Sequence, residues 1–189
     1  IDLLFVYGTG LVQAQVFERV PLGAINAHGG KLPGYRGLDT NLWAAATGNA
    51  GQMAVTLHQM DADFDTGAVY DERPVPRVPD LGLRSLRYHT TRVCTQMTIQ
   101  LLGALARGTA SPVAQTDRGD YFRPMPALTK LRAHRAMRRY AAEIGKARNW
   151  DPNWLNDAVK GFINAQSVKG LRHFRSYPDE KEPGLRVMV

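Results

Sequence analysis

An almost uninterrupted run of apolar residues, Leu-Leu-Phe-Val, opens the chain at positions 3–6. Such a run is typical of a parallel strand that is buried on both faces, and it predicts a strand over about residues 2–7. A strand of this kind needs neighbours on both sides, so we expect an N-terminal portion of the domain to precede this sequence. The pattern then predicts a short helix over about residues 12–19 and a second strand over about 24–27.

A glycine- and proline-rich loop at residues 29–37 separates this part from three further predicted elements. Residues 42–46 predict a short helix, and the alternation of apolar and polar residues over 53–60 predicts a strand. An acidic loop at 61–67 leads to another short strand near 68–70. Strands that alternate with helices predict an α/β fold, and we expect a mostly parallel sheet.

A long helical pattern follows this strand. Asp80 is placed to cap the helix, which we expect to run to about Arg107 and to stop at Gly108. The single cysteine of the chain, Cys94, lies on this helix, where it is expected to be a small buried hydrophobe.

The C-terminal third of the chain differs in charge from the rest. Residues 1–120 hold ten Lys and Arg against eleven Asp and Glu, whereas residues 121–189 hold fourteen against six. We therefore divide the chain into a catalytic core, 1–120, and a basic helical region, 121–189, with helices near 128–148 and 151–170. One face of the first helix carries a stripe of basic residues, namely Arg132, Arg135, Arg139 and Lys146. This stripe is either a solvated face or a contact for an anionic partner such as a phosphorylated acceptor or RNA.

The composition is that of an ordinary globular protein, with 44% hydrophobic and 22% charged residues among 189. No apolar run approaches the roughly 20 residues that cross a bilayer, so no membrane partner is expected. A single cysteine excludes an internal disulfide and fits a reducing compartment, which predicts a cytoplasmic location.

Three polar residues stand where an α/β sheet binds ligands. Asn26 and His28 are two apart at the end of a predicted strand, so their side chains point to the same side. Asp65 follows a later strand, and such loops gather at the same edge of the sheet. An amide donor, an imidazole and a carboxylate that converge there would suit acyl transfer to an amine, because an amide can donate a hydrogen bond to an oxyanion and an imidazole can move protons.

The ordered combination of these residues resembles the folate-dependent formyltransferases, over roughly residues 2–125. That family has an Asn-x-His strand end, a Leu-Pro-x-Tyr-Arg-Gly-like loop, a Val-Thr-hydrophobic strand and an Asp-x-Gly loop. In this chain the matching segments are Asn26-Ala27-His28, Leu32 to Gly37, Val55-Thr56-Leu57 and Asp65-Thr66-Gly67.

The resemblance implies a Rossmann-like core and 10-formyltetrahydrofolate as co-substrate. The five histidines show no metal-binding spacing such as His-Glu-x-x-His, so no metal is expected. The resemblance implies that Asn26 stabilises the oxyanion, that His28 supports it and moves protons, and that Asp65 holds His28 and assists deprotonation of the amine. It also implies that two loops bind the folate, which in this chain comprise Gly8, Thr9, Gly10, Leu11 and Val12 together with Met60, Asp61 and Phe64.

Several alternatives stay open at this point. A hydrolase on the same scaffold would release formate, and a non-catalytic module would bind nucleic acid through its basic tail. The helical C-terminal region favours a small-molecule amine acceptor, phosphorylated amines included, over a nucleic acid. Arg36 suits a buried carboxylate partner as well as an acceptor contact. The sequence leaves the oligomeric state open.

Overall fold

The structure, a computed structural model, describes residues 1–143 of the 189-residue chain. Within this part no helix is both long and apolar enough to cross a membrane. The predicted helix at 151–170 lies outside the described residues. The elements are β1 (Leu4–Tyr7), α1 (Ala14–Phe17), β2 (Ala24–His28), β3 (Tyr35–Gly37), α2 (Thr40–Ala46), a 3₁₀-helix (Ala50–Gln52), β4 (Ala54–Gln59), β5 (Val69–Pro74), α3 (Leu83–Ala106), β6 (Asp120–Phe122) and α4 (Ala127–Ala142).

The central sheet has the strand order β1-β2-β4-β5, and β3 pairs with β6 in a separate two-stranded sheet. The α/β class is confirmed, but the expectation of a mostly parallel sheet is wrong in detail, because the central sheet is mixed. Strands β1 and β2 are parallel, whereas β2–β4 and β4–β5 are antiparallel. A parallel pair needs a crossover of roughly a dozen or more residues, and the loop between β4 and β5 is too short for one.

Helix α3 covers one face of the central sheet. The apolar residues that alternate along β2 and β4 point at this helix, as the period of two in a strand requires. They form one buried cluster, whose members are Ile25, Ala27, Val55, Leu57, Val93, Cys94, Met97 and Leu101. Cys94 is 4% exposed, which confirms its prediction as a buried hydrophobe.

A second buried cluster lies between α2 and α4 and includes Leu42, Ala44, Met53 and Met137. The amphipathic pattern of α4 is confirmed for the residues predicted to form its apolar side, since Ala133 and Met137 are buried, whereas the arginines at 132, 135 and 139 are exposed. Leu128 and Leu131, near the start of the helix, are exposed as well. The division of the chain at residues 120 and 121 stays a prediction.

The start of α3 differs from the prediction. The N-cap residue is Gly82, whose N–H donates a hydrogen bond to the Ser85 hydroxyl at 3.0 Å. Asp80 does not cap the helix, because its carboxylate accepts a hydrogen bond from His89 Nε2 at 3.1 Å instead. The predicted end is confirmed, since Gly108 follows the last turn with φ 68°, a conformation that favours glycine.

Candidate active site

Two neighbouring strands supply the floor of the site. Along β2, Asn26 and His28 point away from the face that α3 covers, because they alternate with buried apolar residues. On β4, His58 lies opposite Asn26, and Thr56 lies opposite His28. A polar surface therefore forms on the sheet face opposite the apolar cluster.

Asp65 reaches this floor from the loop between β4 and β5. Its backbone is left-handed, with φ 56°, a conformation that Asp tolerates better than most residues. The Gly37 N–H donates a hydrogen bond to Asp65 Oδ2 at 2.8 Å. The Gln115 side-chain amide donates to the carbonyls of Asp65 and Gly67 at 3.0 and 2.8 Å. These contacts hold the carboxylate over the end of β2.

Three polar side chains lie close to one carboxylate oxygen of Asp65. Asp65 Oδ1 accepts a hydrogen bond from Asn26 Nδ2 at 3.3 Å, and it lies 3.4 Å from His28 Nδ1. His58 Nε2 lies 3.5 Å from the same oxygen and 3.1 Å from Asn26 Nδ2. The structure thus brings together the three residues predicted to be catalytic, and it adds His58.

Backbone carbonyls determine which nitrogen of each imidazole carries a proton. His28 Nε2 lies 2.7 Å from the Tyr35 carbonyl, and His58 Nδ1 lies 2.7 Å from the Gln59 carbonyl. A carbonyl only accepts hydrogen bonds, so both of these nitrogens are protonated. Neutral His28 therefore presents an unprotonated Nδ1 to Asp65, and a proton that arrives there would be shared with the carboxylate.

Burial and charge act on the titration of this pair. Burial lowers the pKa of His28 from its ordinary value, while Asp65 and the Tyr35 carbonyl oppose the decrease; a protonated His58 would add to it. Burial alone would raise the pKa of Asp65, but a hydrogen bond from a protonated His58, the charge of His28 and the Gly37 N–H would each lower it. The result is a neutral imidazole beside an ionised carboxylate at neutral pH, an arrangement that can take up a proton between the two groups.

A cavity of about 980 Å³ opens above this floor. Its lining includes Asn26, His28 and Asp65 and every residue predicted to bind folate, namely Gly8, Thr9, Gly10, Leu11, Val12, Met60, Asp61 and Phe64. Buried apolar side chains, among them Val6, Phe17 and Leu86, form part of the wall. A concave, partly apolar cavity with a few convergent polar groups fits a flat heteroaromatic co-substrate such as a folate.

Arg36 contacts backbone carbonyls rather than a carboxylate, and its predicted contact with the acceptor stays a prediction. Its guanidinium donates hydrogen bonds to the carbonyls of Phe64 and Gly119, at 3.2 and 3.3 Å. It therefore ties the loop that carries Asp65 to the segment before β6. Within residues 1–143 no group of three or more His, Cys, Asp or Glu side chains is arranged to hold a metal ion.

Sequence reasoning missed His58 and Gln115. The alternation of β4 offered a signal for His58, since it places that residue on the same face as Thr56. Gln115 had no such signal, because it lies 50 positions from the residue it holds, outside any regular element.

Comparisons with known proteins identify a family and several relatives of this chain. A family model described as formyl transferase matches residues 3–102, more than half of the chain, and includes Asn26, His28 and Asp65. Methionyl-tRNA formyltransferase of Bordetella pertussis is 36% identical over 119 residues, 62% of this chain and 38% of that protein. The enzyme of the same name from Synechococcus sp. JA-2-3B'a(2-13) is 28% identical over 173 residues, 91% of this chain and 51% of that protein.

Among solved structures, the formyltransferase PseJ from Anoxybacillus kamchatkensis is similar, with a TM-score of 0.57 and 25% identity. The match covers 66% of this chain and 65% of PseJ, which was solved in complex with UDP-4,6-dideoxy-4-formamido-L-AltNAc and tetrahydrofolate. The chain spans about two fifths to one half of the lengths of the two curated relatives named above. Because the family model matches more than half of its residues, the chain belongs to the formyl transferase family.

Proposed function

We propose that this protein transfers a formyl group from 10-formyltetrahydrofolate to a primary amine. The observation that supports this most directly is the position of the Asn26 amide and the His28 imidazole, which both lie within 3.4 Å of Asp65 Oδ1. These three side chains lie on the floor of a cavity large enough for a folate. The site needs no protein nucleophile for this reaction, since the amine itself can attack.

The folate would lie between the loop at 8–12 and the loop at 60–64, both of which line the cavity. Gly10 leaves open space in this wall, because an added Cβ there would meet no atom within 4 Å. PseJ, whose fold is similar, was solved with tetrahydrofolate and a formamido sugar nucleotide. That complex supports the proposal that this cavity accommodates both reactants.

The proposed steps assign one role to each residue. The amine lone pair attacks the formyl carbon, and the carbonyl electron pair moves onto oxygen, where an Asn26 N–H donates a hydrogen bond to it. The attacking nitrogen loses a proton towards Asp65 and His28. The oxygen electron pair then re-forms the carbonyl, the bond from the formyl carbon to N10 of the folate breaks, and N10 takes up a proton. The products are a formamide and tetrahydrofolate.

The acceptor belongs to the same proposal. We expect a small-molecule primary amine, phosphorylated amines included, and the complex of PseJ supports a nucleotide-linked amino sugar as the first candidate. The curated relatives bear the name methionyl-tRNA formyltransferase, which makes methionyl-tRNA the second acceptor to test.

The test measures tetrahydrofolate release from 10-formyltetrahydrofolate by the full chain, with and without each acceptor. Release that depends on an amine, together with a formylated product in the mass spectrum, supports formyl transfer. The Asp65→Asn variant serves as control, because Asn tolerates the left-handed backbone of Asp65 but cannot take up the proton. It should lose at least about 100-fold in turnover, the lower range for a lost acid–base group.

The same assay separates the two rival functions. Formate release without an amine would replace the transferase proposal with a hydrolase on this scaffold. Absence of turnover with all acceptors, combined with steeply salt-dependent RNA binding, would replace it with a nucleic-acid-binding module.

A further inference from the structure

His58 is buried in the floor of the site, with 2% of its surface exposed. It lies directly opposite Asn26 in the antiparallel pairing of β2 and β4. Its Nδ1 donates to the Gln59 carbonyl at 2.7 Å, so in the neutral ring Nε2 carries a lone pair. That nitrogen lies 3.1 Å from Asn26 Nδ2, a distance at which an amide N–H donates a hydrogen bond to it.

We propose that His58 is a positioning residue for formyl transfer, which holds the Asn26 amide by accepting a hydrogen bond on Nε2. This inference rests on the proposed function of the site. The Asn26 amide group has two N–H bonds, one directed at His58 at 3.1 Å and one at Asp65 Oδ1 at 3.3 Å. The longer bond can be exchanged for a substrate oxyanion, while the bond to His58 keeps the amide in place.

The lone pair also fixes which way the amide faces. A half-turn of the Asn26 amide would direct its oxygen at the bare Nε2 of His58 and at the Asp65 carboxylate, neither of which can donate a hydrogen bond to it. Both neighbours therefore select the orientation in which nitrogen faces them. Without His58, only the longer contact to Asp65 would select it, and that contact is the one the reaction uses.

A different arrangement would pair a protonated His58 with Asp65. The separation of His58 Nε2 from Asp65 Oδ1 is 3.5 Å, beyond the usual length of a charge-assisted hydrogen bond. In that arrangement an Nε2–H would also face the Asn26 amide N–H at 3.1 Å, donor against donor. The observed distances therefore favour the neutral ring that accepts from Asn26.

The test compares two substitutions of His58 in the full chain. His58→Leu removes the acceptor, and we expect kcat to fall about tenfold, the equivalent of one net hydrogen bond, with the KM for 10-formyltetrahydrofolate nearly unchanged. His58→Gln offers an amide oxygen in place of the ring nitrogen and should restore most of the lost kcat. His89→Leu is the matched control, because His89 is also buried but does not line the cavity, and its kcat should stay near wild type.

A second measurement is independent of activity. Long-range ¹⁵N–¹H spectra of the full chain report which nitrogen of His58 carries the proton. The proposal expects protonated Nδ1 and bare Nε2; a proton on Nε2 would overturn it, as would equal kcat values for the Leu and Gln variants. A wild type that transfers no formyl group to any amine would refute the proposed function and the catalytic consequence of His58, and the spectra would then judge the His58–Asn26 contact alone.

Discussion

The two faces of strands β2 and β4 are built from alternating residues of the same segments, yet one face is apolar and the other carries the polar side chains of the site. The face towards α3 is a closed apolar cluster around Val55 and Leu57, both fully buried. The other face buries His28 and His58, of which His28 directs an unprotonated nitrogen at a carboxylate. Apolar burial stabilises the fold, whereas a buried lone pair beside a carboxylate costs stability and provides a place for a proton.

The largest effect is expected on the polar face, from Asn26→Ala. Loss of an oxyanion donor should lower kcat about 100-fold or more while the protein stays folded. The matched control is Asn49→Ala, because the Asn49 side chain donates to the Tyr35 hydroxyl at 3.2 Å and does not line the cavity. That control should leave both kcat and the free energy of unfolding near wild type. Steady-state kinetics and urea unfolding of both variants check the contrast; near-normal kcat for Asn26→Ala would remove the oxyanion role.

On the apolar face we expect the reverse. Leu57→Ala deletes a fully buried side chain and should lower the free energy of unfolding by about 2–5 kcal/mol. The KM of the folded fraction for 10-formyltetrahydrofolate should not change, because Leu57 lies on the opposite face from the cavity. Urea unfolding and initial rates test this. A specific loss of folate affinity in a stable Leu57→Ala variant would show that the two faces are not independent.

The pH dependence of stability should carry a smaller signature of His28. Its pKa is lowered below the ordinary value of 6.5, mainly by burial, so the unfolded chain binds this proton more readily than the folded protein does. Stability therefore falls as the pH decreases through about 6.5 towards the folded pKa. His28→Gln can still donate to the Tyr35 carbonyl but cannot titrate, so its urea midpoint should fall less between pH 7 and pH 5. Parallel slopes for variant and wild type would contradict the neutral buried imidazole.

The smallest effect concerns Cys94 in the apolar cluster. Burial raises the pKa of its thiol to about 11, with an opposing contribution from Thr98, so little thiolate forms at neutral pH. We expect the native protein to react with a thiol reagent far more slowly than the urea-unfolded chain, as absorbance at pH 7.5 would report. Equally rapid labelling of both forms would mean that this face opens readily.

The local pattern of the chain predicted most of these elements, because each strand and helix follows from periodicity. It identified β2, β4 and α3, and the alternation of β2 placed Asn26 and His28 on one side. It missed β3 and β6, since three-residue strands form only through pairing with one another across more than 80 positions. It also misjudged the direction of β4, because the alternation within a strand does not specify whether the strand runs parallel or antiparallel to its neighbour β2.

The sequence predicted which residues form the site but not the hydrogen bonds between them. The ordered Asn26, His28 and Asp65 were found from spacing and family resemblance. The hydrogen bonds that orient them were not. The carbonyls of Tyr35 and Gln59 are backbone groups that no residue type signals, and the Gln115 side-chain amide reaches the Asp65 carbonyl from 50 positions away.

The central claim is that the cavity above the polar face binds a formyl folate, and titration calorimetry with a 10-formyltetrahydrofolate analogue that cannot release its formyl group tests it most directly. Gly10→Leu fills open space in the cavity wall, while Gly51→Leu adds the same side chain outside the cavity. The account predicts saturable binding by wild type and by Gly51→Leu, and binding weaker by about tenfold or more, roughly 1.4 kcal/mol, for Gly10→Leu. Absence of saturable binding by the folded wild type, or equal affinity of all three proteins, would contradict it.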